Sequence, residues 1–225
     1  MPRPAQAAAD GNRPDRERWA ALRPHLDALY ASFNRAGEVP DPVEFVHRYH
    51  RPADREVVAF LAAGLAFGRV ASVNQSVERA LERLGSHPAA AVADFSLARD
   101  ARRFDGFVHR WTRGADLARL LHVLRHMLRE AGSIEGFFVE GWDRGARDVR
   151  DALESFGARA RAVAAATGAG ATATRGVAYF FPQPGGGSAC KRLNLFLRWM
   201  VRRDNLDPGG WDRVRPSQLI VPLDT

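Results

Sequence analysis

The sequence predicts an all-α, multi-helix protein, and three observations lead to that class. Apolar residues recur at three- and four-residue spacing along most of the chain, which is the period of one helix face. Pro, Gly, Ser and Asp stand at positions where helices are expected to begin or end. With 225 residues, 46% of them hydrophobic, the chain is long enough to bury a substantial core.

The overall composition favours a polyanionic partner. The formal net charge is +7, from 33 basic and 26 acidic residues, so nucleic acid comes first among the expected partners. A single cysteine excludes an internal disulfide and any all-cysteine metal or iron–sulfur site, and we expect no cofactor or metal. No apolar run has the length of a membrane span, and the N-terminus lacks the apolar centre of a signal peptide. We therefore expect a cytoplasmic monomer without a membrane partner.

The N-terminal part divides into a leader and a helical domain. Residues 1–14, rich in Pro, Ala and Arg, predict a disordered leader, and residues 15–163 predict the helical domain. Its first helix, residues 15–36, is predicted from the spacing of Trp19, Leu22, Leu26, Leu29 and Phe33, with Pro24 as a kink or boundary. A short helix should follow Asp41 and Pro42, and His47 and His50 on it are interpreted as surface or helix-packing residues rather than metal ligands.

The next segment predicts a core helix followed by an aromatic region. Residues 57–67 are strongly apolar, and the small residues Ala62, Ala63 and Gly64 would let another helix approach closely. Between residues 94 and 113 we expect short helices with four packing aromatics: Phe95, Phe104, Phe107 and Trp111. The interleaved arginines Arg102, Arg103, Arg110 and Arg113 could stack on bases, but solvated arginines beside buried aromatics are the favoured interpretation.

The C-terminal part is expected to form a separate unit. An amphipathic helix from residue 116 precedes it, and His122 and His126 on that helix are interpreted as structural. Residues 164–176, nearly all Ala, Gly and Thr, predict a flexible connection. Residues 177–225 then hold a glycine hairpin, the helix that carries Lys191 and a C-terminal segment that we expect to be truncated.

Lys191 is the only lysine among the 33 basic residues, and the other 32 are arginine. An arginine keeps its charge at any accessible pH, whereas a lysine amine can lose its proton, attack a carbon and form a Schiff base. Codon bias toward arginine, with one lysine left by chance, is the other explanation. The exception nevertheless marks Lys191 as a candidate nucleophile.

The surroundings of Lys191 strengthen that interpretation. Gly185, Gly186 and Gly187 predict a turn, and Ser188 then reads as the N-cap of a helix with Lys191 at its third position. The helix dipole and two nearby arginines would favour the unprotonated amine there. Leu193, Phe196, Leu197 and Met200 form the apolar face of this helix, while Lys191, Asn194, Arg198 and Arg202 share another face.

Two motifs carry a resemblance to known families. The run from Gly187 to Arg202, with Leu219 to Thr225, resembles a bacterial family of unknown function, domain family 2400. Its motifs resemble in turn the helix-hairpin-helix DNA glycosylases, in which a glycine-rich hairpin precedes a catalytic lysine and a later segment supplies an aspartate. This likeness implies that Lys191 is the catalytic lysine and Asp224 the aspartate. It makes Arg69 a candidate for the residue that enters the duplex, although a solvated arginine is the favoured interpretation. It also implies a histidine and further helices after Thr225, so we expect a chain that is missing its C-terminal helices.

The resemblance implies a DNA glycosylase/lyase acting on a damaged base in double-stranded DNA. In this hypothesis the amides of Gly185 to Gly187, with Ser188, hold a backbone phosphate. Further contacts would come from Arg192, Asn194, Arg198 and Arg202, and Lys191 would attack the sugar of a flipped base. Two alternatives remain open. One is a non-catalytic nucleic-acid-binding module in which Lys191 contacts phosphate, and the other is a helical scaffold for protein partners.

Overall fold

A computed structural model describes residues 13–35, 37, 40–167 and 171–222, leaving aside the side chains of residues 13–16 and 171–175. Most of the predicted leader, residues 1–12, lies outside this part. The described residues form the helices α1 Arg13–Phe33, α2 Val43–His47, α3 Pro52–Leu65, α4 Val70–Leu84, α5 Pro88–Ala93, α6 Leu97–Asp100, α7 Gly114–Glu130, α8 Ile134–Val139, α9 Arg150–Ala165, α10 Ala171–Phe180 and α11 Lys191–Val201. Two short strands, β1 Val108–His109 and β2 Thr112–Arg113, and three 3₁₀ helices, Ala101–Phe104, Pro184–Gly186 and Pro216–Gln218, complete the regular structure. The predicted all-α, multi-helix class is confirmed.

The central helix is α3, which packs against α2, α4, α5 and α11. Every residue from Val57 to Leu65 is buried, as the apolar run predicts. Its Phe60 ring lies 5.1 Å from the ring of Phe196 in α11 and 5.4 Å from that of Phe181. A helix buried on all sides fixes the positions of its neighbours, so α11 is seated on the rigid centre of the molecule.

The small residues of α3 allow the predicted close approach. A Cβ at Gly64 would lie 3.0 Å from Cδ1 of Phe180 in α10. The expected close approach of a neighbouring helix is therefore confirmed at Gly64.

Two buried carboxylates of α3 bind the starts of other helices. Glu56 accepts hydrogen bonds from the amides of Ile134 and Glu135 in α8, at 2.8 and 2.7 Å, and from Nε1 of Trp211 at 2.8 Å. Asp54 accepts from the amide of Ala89 in α5 at 2.8 Å. These bonds satisfy amides that lack partners within their own helices, and they join distant parts of the chain.

Several local predictions are corrected. Residues 108–113 form a β-hairpin rather than a helix, and Trp111 at its tip is 51% exposed instead of packed inward. Helix α1 continues through Pro24, and its apolar residues stay exposed: Trp19, Leu22, Leu26, Leu29 and Phe33.

The stretch predicted as a flexible connection is helical on both sides. Helix α9 extends to Ala165 and α10 begins at Ala171, because alanine is the strongest helix former. Residues 168–170, in the middle of the predicted connection, lie outside the described part. None of the helices in the described residues combines the length and the apolar character that crossing a membrane requires.

Candidate functional site

Lys191 lines a pocket of about 380 Å³. It is the first residue of α11 and its side chain is exposed. The other residues that line the pocket are Ala66, Phe67, Tyr179, Pro182, Ser188, Ala189, Cys190 and Arg192. Lys191 is therefore an exposed residue in a cleft of the size that commonly holds small ligands, roughly 300–1,000 Å³.

The start of α11 differs from the prediction. Cys190, not Ser188, precedes the first helical residue, and it has a left-handed backbone with φ of 49° and ψ of 34°. Lys191 is thus the first residue of the helix rather than the third. Ser188 contributes differently, because its Oγ accepts a hydrogen bond from the amide of Cys190 at 3.1 Å. Burial raises the pKa of the Cys190 thiol, which disfavours the reactive thiolate beside Lys191.

The glycine turn has the predicted shape but not the predicted free amides. Residues 184–186 form a single 3₁₀ turn, and Gly187 follows with a φ of 77°. The amide of Gly185 donates to Oε2 of Glu154 at 2.7 Å, and those of Gly186 and Gly187 donate to backbone carbonyls at 3.1 and 3.0 Å. A carboxylate of the chain itself therefore occupies part of the expected phosphate position. A phosphate bound by these amides would have to displace it.

Arg192 faces inward, beside the pocket. Its Nη1 donates to the carbonyl of Gly64 at 2.9 Å, and its Nη2 donates to that of Tyr179 at 2.6 Å. The guanidinium also lies 3.4 Å from the centre of the Tyr179 ring. Burial lowers the pKa of Arg192. This side chain joins α3, α10 and α11, and it holds Tyr179 in the wall of the pocket.

Asn194 is buried one turn into α11. Its Nδ2 donates to the carbonyl of Ala189 at 3.1 Å, which fixes the segment before the helix. Its Oδ1 is buried and has no hydrogen-bond partner among the described residues. The side chain is thus buried and holds Ala189, a residue of the pocket wall.

Arg198 and Arg202 lie at the opposite end of α11 from Lys191. Both pair with the fully buried carboxylate of Asp207, at 3.1 and 3.2 Å, and Arg202 also contacts Asp204 at 2.7 Å. Burial raises the pKa of Asp207, while the two arginines act in the opposite direction. A helix rises about 1.5 Å per residue, so these charges are roughly 10–16 Å from Lys191 along the axis. The structure does not bring them into the Lys191 pocket.

An aromatic surface, which the sequence alone did not assign to the site, borders the pocket. We call Phe67, Trp111 and Tyr179 the aromatic rim. The rings of Phe67 and Trp111 are 4.6 Å apart between centres, and those of Trp111 and Tyr179 are 5.1 Å apart. The only sequence signal for this surface was the Phe67-Gly68-Arg69 segment after a core helix. Nothing in the sequence indicated that the 108–113 hairpin lies next to that segment.

Arg69 follows Phe67 of this rim by two residues, on the exposed segment that connects α3 to α4. Within the described part of the chain its side chain has no hydrogen bond or ion pair, so its donors are accessible to a ligand. Asp224, the predicted partner of Lys191, lies outside the described residues. No group of three or more His, Cys, Asp and Glu side chains in the described part is arranged to hold a metal ion.

The fold and the site together define an all-α protein with an accessible lysine in an aromatic-walled pocket. The chain belongs to the family described as "Protein of unknown function (DUF2400)", whose match covers residues 41–225 and so most of the sequence. No curated protein and no solved structure matches the chain. The family resemblance is thereby confirmed, whereas the likeness to helix-hairpin-helix glycosylases rests on the sequence motifs alone.

Proposed function

We propose that this protein is a DNA glycosylase/lyase in which Lys191 forms a Schiff base with the sugar of a damaged nucleotide. The observation that carries the proposal is the position of the only lysine: exposed, at the start of α11, in a pocket of about 380 Å³ with aromatic walls. An accessible amine beside aromatic rings suits a sugar whose base is held out of the stack.

The chemistry requires an unprotonated amine and a proton carrier. The Lys191 nitrogen attacks C1′ and forms a C–N bond, while the bond from C1′ to the base breaks and the base leaves with the electron pair and takes up a proton. Ring opening gives the Schiff base. Removal of a proton from C2′ then expels the 3′-phosphate and nicks the strand. Asp224 is proposed to stabilise the cationic sugar or to carry a proton.

The residues proposed here to contact phosphate differ from the glycine amides that the sequence suggested. The amides of Gly185 to Gly187 are bonded within the chain, so Arg69 and the exposed hydroxyl of Ser188 are the better candidates. Arg192 and Asn194 are proposed to shape the pocket. Arg198 and Arg202 contribute to the general positive field rather than to the pocket.

Borohydride trapping tests the proposal. The wild-type protein is mixed with a duplex containing one abasic site, which presents the aldehyde directly, and borohydride should fix a covalent protein–DNA adduct. Lys191→Ala and Lys191→Arg should give no adduct. Arg129→Lys, which adds an amine at an exposed position of α7 outside the pocket, should trap like the wild type. Equal trapping by Lys191→Ala would remove Lys191 from the mechanism.

The second candidate is a nucleic-acid-binding module without catalysis. Two exposed residues favour it: Lys191 lines the pocket, and Arg69 follows Phe67 of the pocket wall by two residues. Cations there can contact phosphates without any reaction. Lys191→Arg separates the two functions. If the variant keeps the salt-dependent DNA affinity of the wild type, and the wild type forms no trapped adduct, the result supports the binding module. If the wild type forms an adduct and the arginine variant does not, the result supports the lyase.

A further inference from the structure

The aromatic rim exposes rings that a folded protein normally covers. Phe67 is 39% exposed and Trp111 is 51% exposed, and the rim is flanked by Val70 and Val108, which are 43% and 41% exposed. Aromatic side chains of this size are usually mostly buried, and clustered exposed ones mark binding surfaces. The rim is continuous with the Lys191 pocket, because Phe67 and Tyr179 belong to both.

The hairpin holds Trp111 in a fixed outward position. Its strands pair Val108 with Arg113 and His109 with Thr112, which leaves Arg110 and Trp111 as a two-residue turn. The backbone below the turn is anchored to α4. Nδ1 of His109 lies 2.9 Å from Oγ of Ser76, and the carbonyl of Val108 accepts from Arg79 at 2.9 Å. A ring on such a short, anchored turn is organised before any ligand arrives.

The turn also carries an unusual backbone conformation. Arg110 has a φ of 55°, and the only other non-glycine residue with positive φ in the described part is Cys190, next to Lys191. Two-residue hairpin turns of the primed types have positive φ at the first central position, which Gly, Asn or Asp usually fill. An arginine in that position costs about 1–2 kcal/mol. Such strain is commonly found at functional sites.

The arginines around the rim are available to a ligand. The guanidinium of Arg110 lies 5.1 Å from the centre of the Phe67 ring, and within the described residues it has no hydrogen bond or ion pair. Arg69 is exposed on the same loop as Phe67. The surface thus combines flat apolar rings with unpaired cations, which is the combination that binds an unpaired base together with its phosphates.

We infer that the aromatic rim is a stacking site for an unpaired nucleobase of a DNA strand, with Trp111 as the main stacking ring and Arg110 and Arg69 contacting the adjacent phosphates. This inference rests on the proposed function for the class of ligand, DNA, but not for the reaction. It assigns the rim to a base next to the one whose sugar enters the Lys191 pocket. Stacking on aromatic side chains tolerates any base, so the site reads the absence of pairing rather than sequence.

The test is DNA affinity measured by fluorescence anisotropy with two labelled single strands. One strand is a short oligothymidylate, and the other has the same length and charge but carries reduced abasic sugars in place of nucleosides. The wild-type protein should prefer the base-bearing strand. Trp111→Ala should weaken binding to that strand about tenfold to a hundredfold, since one stacked base contributes about 1–3 kcal/mol and each 1.4 kcal/mol is a factor of ten.

Three further variants control the experiment. Trp111→Phe should keep most of the affinity because a ring remains, and Trp111→Leu should lose it although an apolar side chain remains. The matched control is Trp19→Ala, which removes a tryptophan that is 63% exposed on α1. It should bind both strands like the wild type. Circular dichroism verifies that each variant is folded, and Trp111→Leu replaces Trp111→Ala if the alanine variant is not.

The outcomes separate this inference from the proposed function. Equal binding of the two strands, or unchanged affinity in both Trp111→Ala and Trp111→Leu, overturns the stacking site, even if Lys191-dependent trapping succeeds. A wild-type protein that binds neither strand and forms no trapped adduct overturns both, and it points to a protein partner for the rim. If Trp111→Ala weakens binding to the base-bearing strand but the wild type never forms a trapped adduct, the stacking site is supported and only the lyase reaction is rejected.

Discussion

The guanidinium of Arg192 lies 3.4 Å from the centre of the Tyr179 ring and donates to the carbonyl of the same residue at 2.6 Å. One side chain therefore fixes both the backbone and the ring of Tyr179. Because Tyr179 belongs to the pocket wall and to the aromatic rim, Arg192 connects the buried centre of the fold to the surface proposed to bind DNA.

Replacing Arg192 by lysine should destabilise the protein although the charge is kept. A lysine amine cannot stack flat on the ring of Tyr179 while donating to two separate carbonyls. Each lost hydrogen bond from a charged group contributes roughly 1.5–3 kcal/mol, so we expect a loss of about 2–4 kcal/mol in the free energy of unfolding. Urea denaturation measures it. Arg69→Lys, at an exposed site without intramolecular partners, is the control and should change stability by less than about 0.5 kcal/mol.

Arg198→Ala and Arg202→Ala should weaken the fold more than they weaken DNA binding. Each variant leaves the buried carboxylate of Asp207 with one arginine instead of two. Removing a partner from a buried ion pair costs roughly 3–5 kcal/mol, and sharing between two arginines should reduce the loss to about 1–3 kcal/mol. Thermal unfolding measures the stability of each variant, and fluorescence anisotropy measures its DNA affinity. If the Arg198→Ala protein is folded and its DNA affinity is strongly reduced, Arg198 contacts the DNA and this prediction is wrong.

Glu56→Gln should destabilise the protein by about 2–4 kcal/mol, because the new amide group would face N–H donors. Both carboxylate oxygens of Glu56 accept hydrogen bonds, from two backbone amides and from Trp211. Glutamine keeps only one acceptor oxygen and leaves buried donors unpaired. Chemical denaturation provides the measurement. Glu130→Gln, exposed at the end of α7, is the matched control, and an equal effect of the two substitutions would contradict the assigned role of Glu56.

Stability should fall on mild acidification through His109. Burial, with Arg110 and Arg79 nearby, lowers the pKa of this imidazole. As the pH falls below the unfolded-state pKa of roughly 6.5, the unfolded chain takes up a proton at this residue before the folded protein does. The contribution of neutral His109 to the free energy of unfolding is therefore fully present above that pH and is lost as the pH falls toward the folded-state pKa. The loss is at most about 1.4 kcal/mol per pH unit for one proton.

Urea titrations at several pH values measure this effect of His109. Burial also lowers the pKa of His122, so the pH dependence of the wild type alone cannot be assigned to His109. The slope of unfolding free energy against pH should be smaller in His109→Gln than in the wild type and unchanged in His25→Gln, an exposed histidine on α1. Identical slopes in all three proteins would contradict a buried, neutral His109.

The sequence predicted the parts of the fold that depend on long apolar periods. The faces of α3 and α11 were correct, because Val57 to Leu65 and the Leu193 to Met200 stripe leave one arrangement that buries them. The hairpin was missed because its two strands have only two residues each, too few for an alternating pattern. Trp111 was assigned to the core since apolar aromatics usually go there, and only the tertiary structure places it on an exposed turn.

The candidate site was predicted less completely than the fold. Lys191 was identified from composition, and the structure places it in an accessible pocket. Its position in the helix was wrong, because Ser188 is a good N-cap residue and the left-handed Cys190 that separates it from the helix has no sequence signal. The three glycine amides looked free because Glu154, the acceptor for Gly185, comes from α9, far away in sequence.

Arg110→Gly should uncouple stability from binding. Glycine adopts positive φ without the steric cost of about 1–2 kcal/mol, although it loses more chain entropy on folding, about 0.5–1 kcal/mol. The free energy of unfolding should therefore stay the same or rise by up to about 1 kcal/mol, while affinity for an oligothymidylate strand falls because the guanidinium over Phe67 is gone. Denaturation and anisotropy on the same preparation measure both quantities. Arg113→Gly, in the adjacent strand, should instead lower stability, and a destabilised Arg110→Gly protein would show that the strained turn is held by contacts of Arg110 rather than kept for a ligand.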